Sequence, residues 1–337
     1  MSEIITPRTL SGFMELLPKD QVIFDKIRNT LEKTYTNYGF FPLDTPILED
    51  SKILLAKAGG ETEKQIYRFN KGDTDLTMRF DLTVPLAKYV AKNYSDLVFP
   101  FRRYQIGKVY RGERAQKGRF REFYQADIDI IGDGELGILN DAEIPSIIYS
   151  IFNSLGIDNF VIRINNRKVL NGLFDMYGLK DNATDVMRII DKIDKIGVEN
   201  VKSELADIGV DKDTVDTIIS VLTFKGSNSE VANMLSEYKG RNEIFDKGIE
   251  ELVQVTDYIE KFGVPKDYFK IDLTIARGLD YYTKTVFEFV SNEIGSQGTV
   301  CGGGRYDGLV EELGGQKTPG IGFGLGLKLP YPLLVPV

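Results

Sequence analysis

The 337-residue sequence contains no histidine, no tryptophan and a single cysteine, Cys301. The missing histidines exclude Ser-His-Asp and Cys-His nucleophile pairs, zinc sites of the usual His-containing kinds, and any imidazole acting as acid or base near neutral pH. One cysteine excludes an internal disulfide and a CxxC metal or redox motif, the pattern of a chain in a reducing cytosol. No run approaches the roughly 18 apolar residues of a membrane span, and the start MSEIITPRTLSGF lacks both the basic opening and the apolar core of a secretory signal. A cytoplasmic protein without membrane attachment is expected. Its chemistry must run on Arg, Lys, carboxylates, hydroxyls, backbone amides or a bound metal.

Hydrophobic residues make up 42% and charged residues 27%, ordinary values for a globular protein of one large or two smaller domains. The net charge of −8 argues against a general nucleic-acid coat, which gains affinity by neutralising phosphates. Against that acidic background, Arg102, Arg103, Lys108, Arg111, Arg114, Lys117, Arg119 and Arg121 are opposed within their window only by Glu113. A solvated basic hairpin would read the same way. The predominance of arginine instead suits bidentate recognition of phosphate or carboxylate.

Along the chain, Ile23, Phe24, Ile27, Leu31, Tyr35 and Tyr38 recur at helical spacing over 21–38, with Gly39 as a stop. FFPLDTPILED reads as extended and proline-punctuated, followed by a short helix near 51–58. Residues 64–69 and 75–81 alternate like two strands, 83–94 like a helix, and RRYQIGKVYRGE and REFYQADIDIIG like two long strands joined by AQKGRF. From 168 to 261 the texture is helical, with Ile189, Ile190, Ile193 and Ile196 forming one stripe; strand texture returns from Phe269. The predicted fold is α+β: a mostly antiparallel sheet flanked by helices, with 1–167 and 262–337 as two parts of one core and 168–261 as a helical insertion domain.

Strand geometry sends Gln125, Asp127 and Asp129 to one face and Ala126, Ile128 and Ile130 to the other. Thr77, Arg79 and Asp81 would share a face in TDLTMRFD, with Thr83 just beyond. A one-sided acidic row usually faces solvent, but two such rows beside an arginine-rich hairpin suit a cavity for an amino acid next to a polyphosphate. LTIARGLDYYTKTVFEF adds Arg277, Asp280, Tyr281, Tyr282 and Glu288, and CGGGRYDG sets three glycines against Arg-Tyr-Asp. GIGFGLG echoes a dinucleotide fingerprint, yet no βαβ unit surrounds it and no ribose-binding acid follows at the required spacing.

Taken together, these segments resemble the catalytic core of class II aminoacyl-tRNA synthetases, specifically the histidyl-tRNA synthetase family, over essentially the whole chain. The helix 21–38 with LDTPILED is similar to the dimer-interface motif, with Pro46 in its proline position. FRRYQIGKVYRGERAQKGRFREFYQADIDIIG is similar to the second class II motif, and ARGLDYYTKTVFEF and CGGGRYDGL to the two motifs peculiar to the histidine-specific family. The resemblance implies ATP and histidine as substrates, Mg²⁺, tRNA(His) as acceptor, a homodimer, and contact of the 168–261 insertion with tRNA.

Residue by residue, the resemblance gives Arg111 to the amino-acid carboxylate and α-phosphate, and Arg277 as a second cation opposite it. It gives Glu113 and Phe123 to the adenine and Arg119 to the γ-phosphate. Asp81, Thr83 and Gln125 would hold the α-amino group; Asp129 and Tyr282, with Tyr281 beside them, would read the imidazole. No general base is required, because the histidine carboxylate is ionised at pH 7 and is itself the nucleophile.

The family pattern breaks in two places. Its third motif should end in Gly-Leu-Glu-Arg-Leu, whereas GIGFGLGL is followed here by Lys328, Leu329 and Pro330, so the ATP-clamping arginine is missing. After it comes YPLLVPV, with no stretch resembling the family's C-terminal anticodon-binding domain. A chain cut ahead of that domain and a paralogue that has shed tRNA charging both fit. The corresponding alternative function is a non-catalytic, synthetase-like regulatory subunit of ATP phosphoribosyltransferase. A plain RNA-binding module built on the basic hairpin is a third, disfavoured by the acidic total.

Overall fold

Helix α1 (Pro18–Asn37) begins with proline in its first turn, where a missing N–H costs nothing, and buries Phe24, Ile27, Leu31 and Tyr35 along one face. Gly39, at φ 78°, turns the chain out of it. The computed structural model describes residues 6–56, 63–114, 120–276, 281–291 and 299–327. After α1 come β1 (Phe41–Pro42), β2 (Leu48–Asp50), α2 (Ser51–Leu55), β3 (Arg68–Lys71), β4 (Thr74–Met78), α3 (Thr83–Asn93), β5 (Phe101–Tyr110) and β6 (Glu122–Ile131). Next are α4 (Leu139–Ser154), β7 (Phe160–Asn166), α5 (Arg167–Met176), α6 (Ala183–Ile190), α7 (Ile193–Ile196), α8 (Val198–Asp207), α9 (Lys212–Leu222), α10 (Asn228–Ser236) and α11 (Glu243–Lys261). The chain continues through β8 (Phe269–Ile271), β9 (Thr285–Ser291), β10 (Thr299–Tyr306), α12 (Leu309–Glu312) and β11 (Gly320–Gly326).

An eight-stranded sheet in the order β1-β5-β6-β11-β10-β9-β7-β8 forms the centre, antiparallel except where β1 and β8 pair in parallel at its two edges. Strands β2, β4 and β3 form a separate small sheet. The α+β expectation of an antiparallel sheet flanked by helices holds. One face of the large sheet presents Ala126, Ile128, Ile130, Ile321, Phe323, Leu325, Phe287 and Phe289 to α1 and α4. Burying a side chain such as Leu31, which is 0% exposed, contributes roughly 1.5–3 kcal/mol, and Leu31→Ala would cost about 2–5 kcal/mol.

The same apolar core continues into the helices beyond α4. Helices α5 and α11 approach closely because each carries glycine at the crossing: a Cβ on Gly172 would stand 2.5 Å from the Phe245 nitrogen, and one on Gly248 2.6 Å from that of Val169. The isoleucine stripe is divided between α6 and α7 by a turn at Asp191–Lys192, although Ile189, Ile190 and Ile193 all remain buried. Helix α4 and strand β7 had no sequence expectation. Among the described residues no helix is long and apolar enough to cross a membrane.

Candidate active site

The second face of the sheet carries the polar residues. The β5–β6 ladder sets Arg103 opposite Asp129, Gln105 opposite Asp127 and Gly107 opposite Gln125. On the far side of β6, β11 sets Gly322, Gly324 and Gly326 opposite the same three residues. The expected shared face of Gln125, Asp127 and Asp129 is therefore real, and the glycines of GIGFGLG explain how it fits. A Cβ on Gly322 would stand 1.9 Å from the Asp129 Oδ1, and one on Gly324 2.9 Å from the Asp127 Oδ1. The glycine run is a strand that makes room for carboxylates, not a phosphate loop.

Asp129 is 1% exposed and forms an ion pair with the Arg103 Nη2 at 2.7 Å. Its Oδ1 accepts from the Tyr306 hydroxyl at 2.5 Å. Burial raises its pKa, while Arg103 and the Tyr306 hydrogen bond oppose the rise. Beside it, burial pushes Asp127 well up, with Arg103 opposing and the negative charges of Asp129 and Asp81 adding to the rise. The Asp127 Oδ1 has no hydrogen-bond partner among the described residues.

The first acidic row is broken up. Strand β4 ends at Met78, so alternation does not carry Thr77 and Arg79 to the site. Thr77 hydrogen-bonds Ser51 at 2.6 Å, and Arg79 is buried against the carbonyls of Thr45 and Lys108. Asp81 follows the strand and accepts from the Val84 N–H at 3.2 Å in the first turn of α3. Buried at 2% exposure, its carboxyl is pushed up to about 6 by desolvation, against the Val84 hydrogen bond and the positive charges of Arg111 and Arg103. Thr83 hydrogen-bonds Tyr281, whose ring meets Tyr282 edge-on at 5.0 Å and Tyr306 at 5.8 Å. The Tyr282 hydroxyl is driven up by burial and by the charges of Asp129 and Asp127, which keeps it a hydrogen-bond donor. Gln125, half-buried, leaves its Oε1 without a hydrogen-bond partner among the described residues.

Arg111 sits just past β5. Its Nε donates to the Phe80 carbonyl at 3.0 Å, and its guanidinium lies 5.3 Å over the Phe123 ring. Phe123, which the resemblance gives to the adenine, is 5% exposed and its ring seats Arg111. Glu113 is half-buried, and its carbonyl accepts from the Arg121 Nε at 3.0 Å. Arg119 and Arg277 lie outside the described residues, as do Lys328 and Leu329.

The basic window is not a strip of free cations. Arg102 pairs with Glu143, Lys108 with Glu122, and Arg103 is wholly buried. Arg103 and Tyr306 are the site residues that sequence reasoning missed. The signal for Arg103 was the β5–β6 register, which depends on where the hairpin closes. Of the neighbours in CGGGRYDG, Tyr306 points into this face and Arg305 into the opposite one. Among the described residues no group of three or more acidic or thiol side chains is placed to hold a metal ion.

Comparison with known proteins gives a consistent result. The family model described as Histidyl-tRNA synthetase matches residues 12–329. The chain is 58% identical over 332 residues to the histidine–tRNA ligase of Clostridium tetani, covering 98% of this chain and 75% of that one. With the histidine–tRNA ligase of Finegoldia magna the identity is 48%, covering 98% and 77%. A crystal structure of histidyl-tRNA synthetase from a Nostoc species superposes with a TM-score of 0.89 at 40% identity, covering 98% of this chain and 76% of that one. A Bacillus halodurans protein titled as an ATP phosphoribosyltransferase regulatory subunit/histidyl-tRNA synthetase has a TM-score of 0.84 at 23% identity, a likeness of fold alone.

Proposed function

The chain belongs to the histidyl-tRNA synthetase family, and on that premise we propose that it activates histidine with ATP to the adenylate and transfers it to tRNA(His). The observation that carries the reading is the buried acidic face: Asp129 and Asp127 on β6, with Asp81 brought in from the start of α3 and Arg111 at its edge. Unpartnered buried acceptors such as the Asp127 Oδ1 are costly unless a cationic donor reaches them. The α-ammonium of an amino acid is such a donor, and Asp81, Thr83 and Gln125 would hold it.

The ring of histidine would lie between Asp129 and the Tyr282 hydroxyl, with Tyr281 behind. A site built on hydrogen bonds rejects amino acids whose side chains leave those groups unpaired. In the reaction the histidine carboxylate displaces pyrophosphate from the α-phosphorus, so catalysis consists of positioning and cationic stabilisation. Arg111, held by Phe80 and Phe123, would supply one cation and Arg277 the second. Glu113 and Phe123 would border the adenine and Arg119 the γ-phosphate. Mg²⁺ would enter bound to ATP and lower the charge of the phosphates. The reading includes a cytoplasmic location, and the exposed Val22, Phe41, Ile47 and Leu48 around the first class II motif suit a homodimer.

The test is histidine-dependent exchange of labelled pyrophosphate into ATP, followed by charging of tRNA(His). Exchange that requires histidine and no other amino acid supports the reading; histidine binding without exchange would move it to the regulatory-subunit alternative, which draws here on fold likeness alone.

A further inference from the structure

Arg103 is 0% exposed and central to the acidic face, yet its hydrogen bonding is incomplete. Its Nη2 binds Asp129 and donates to the Leu82 carbonyl at 3.1 Å, while Nε and Nη1 have no hydrogen-bond partner among the described residues. A purely structural buried guanidinium would be expected to satisfy those donors. The groups around Asp129 come from several elements: Arg103 on β5, Asp127 beside it on β6, Tyr306 on β10, Asp81 ahead of α3 and Tyr282 ahead of β9, while Arg111 acts on Asp81 and Asp127. Strand β11 contributes only glycine there.

We infer that Arg103 is a positioning residue that fixes the protonation state in which the substrate ring is accepted, by balancing Asp129 so that this carboxylate takes a hydrogen bond from a neutral imidazole and not from an imidazolium. This rests on the assignment of Asp129 and Tyr282 to the ring. Neutral imidazole has one N–H donor and one acceptor nitrogen. Asp129 accepts from the first, and the Tyr282 hydroxyl, protonated throughout the working range, donates to the second. An imidazolium would instead bring a second positive charge towards Arg103, which is unfavourable where Arg103 and Asp129 are both buried. Without Arg103, the unbalanced charge of the Asp129 carboxylate would favour the imidazolium.

The experiment measures KM in histidine-dependent pyrophosphate exchange between about pH 5.5 and 8.5, bracketing the ordinary imidazole pKa of about 6.5. The same measurement with triazolylalanine, whose ring stays neutral across this range, cancels effects common to both ligands, including titration of Asp81. In the native protein the KM ratio of histidine to triazolylalanine rises roughly tenfold per pH unit below the ring pKa. In Arg103→Met the rise is lost or reversed, and Arg103→Lys restores it. Should Arg103→Met not fold, Arg103→Gln, which can still donate to the Leu82 carbonyl, carries the same test. A neutral variant whose ratio tracks the native profile overturns the inference. Asp129→Asn separates it from its premise: this variant should raise KM for histidine roughly 10- to 100-fold, the scale of a lost charge-assisted hydrogen bond, and an unchanged KM would remove the ring assignment itself.

Discussion

Two arginine–aspartate pairs lie buried on opposite faces of the central sheet, and they are built differently. Arg305, on β10, meets Asp141 of α4 through both Nε and Nη2, donates to the Gly137 carbonyl at 3.1 Å and has Asp307 within 3.7 Å of Nη1; Asp141 is bonded further by Thr285. Arg103 meets Asp129 through one nitrogen only, and two of its donors have no partner among the described residues. The first pair is closed and joins helix to sheet. The second is open, surrounded by Asp81 and Asp127, whose carboxyls are also held up by burial. Buried polar groups with all their bonds made specify a fold; those with bonds left over mark where a ligand completes the set.

Breaking the closed pair should give the largest effect. Asp141→Ala strands the Arg305 guanidinium and is expected to lower the unfolding free energy by about 3–5 kcal/mol, read from denaturant melts, with KM for histidine unchanged in the fraction that folds. On the open side, Arg111→Ala should reduce pyrophosphate exchange roughly 10²–10³-fold, equivalent to about 2.7–4 kcal/mol, while leaving the melt unaltered.

Asp81 sharpens the contrast through pH. Its folded pKa of about 6 lies above its ordinary 3.8, so its contribution to stability is fully present below about pH 4 and lost as pH rises through 6. Asp81→Asn is therefore expected to be more stable than the native protein above pH 6, by up to about 3 kcal/mol from that difference in pKa. The gain should vanish below pH 4 in melts taken across the range, and histidine binding should weaken. The smallest effect belongs to Arg68, exposed and paired with Asp75 on the small sheet. Arg68→Ala should leave both melt and exchange unchanged within error, as expected of a solvated ion pair.

Much of this was legible in the residues. The alternation in QADIDIIG placed its acids on one face correctly because a strand's period does not depend on its partners. The same reasoning failed for TDLTMRFD, because β4 stops at Met78 and the chain turns into α3, a boundary set by the small sheet and not by local pattern. Arg103 was seen as one cation among eight in a basic hairpin. Its burial against Asp129 follows from a register across a loop whose closure no local rule fixes. Helix α4 and β7 were missed between stronger signals, although α4 supplies the Asp141 that closes the structural pair.

What the sequence settled alone was chemistry by elimination and family by motif: without histidine, the work falls to arginines, carboxylates and hydroxyls, and those occur in the order of one enzyme family. Which of them act together was decided by packing. Strand pairing set Arg103 against Asp129 and laid Gly322 beneath it, because cross-strand neighbours lie close in space whatever their separation in sequence. Removal from water then raised the carboxyl pKa values, an effect of the surrounding fold that no side chain carries by itself.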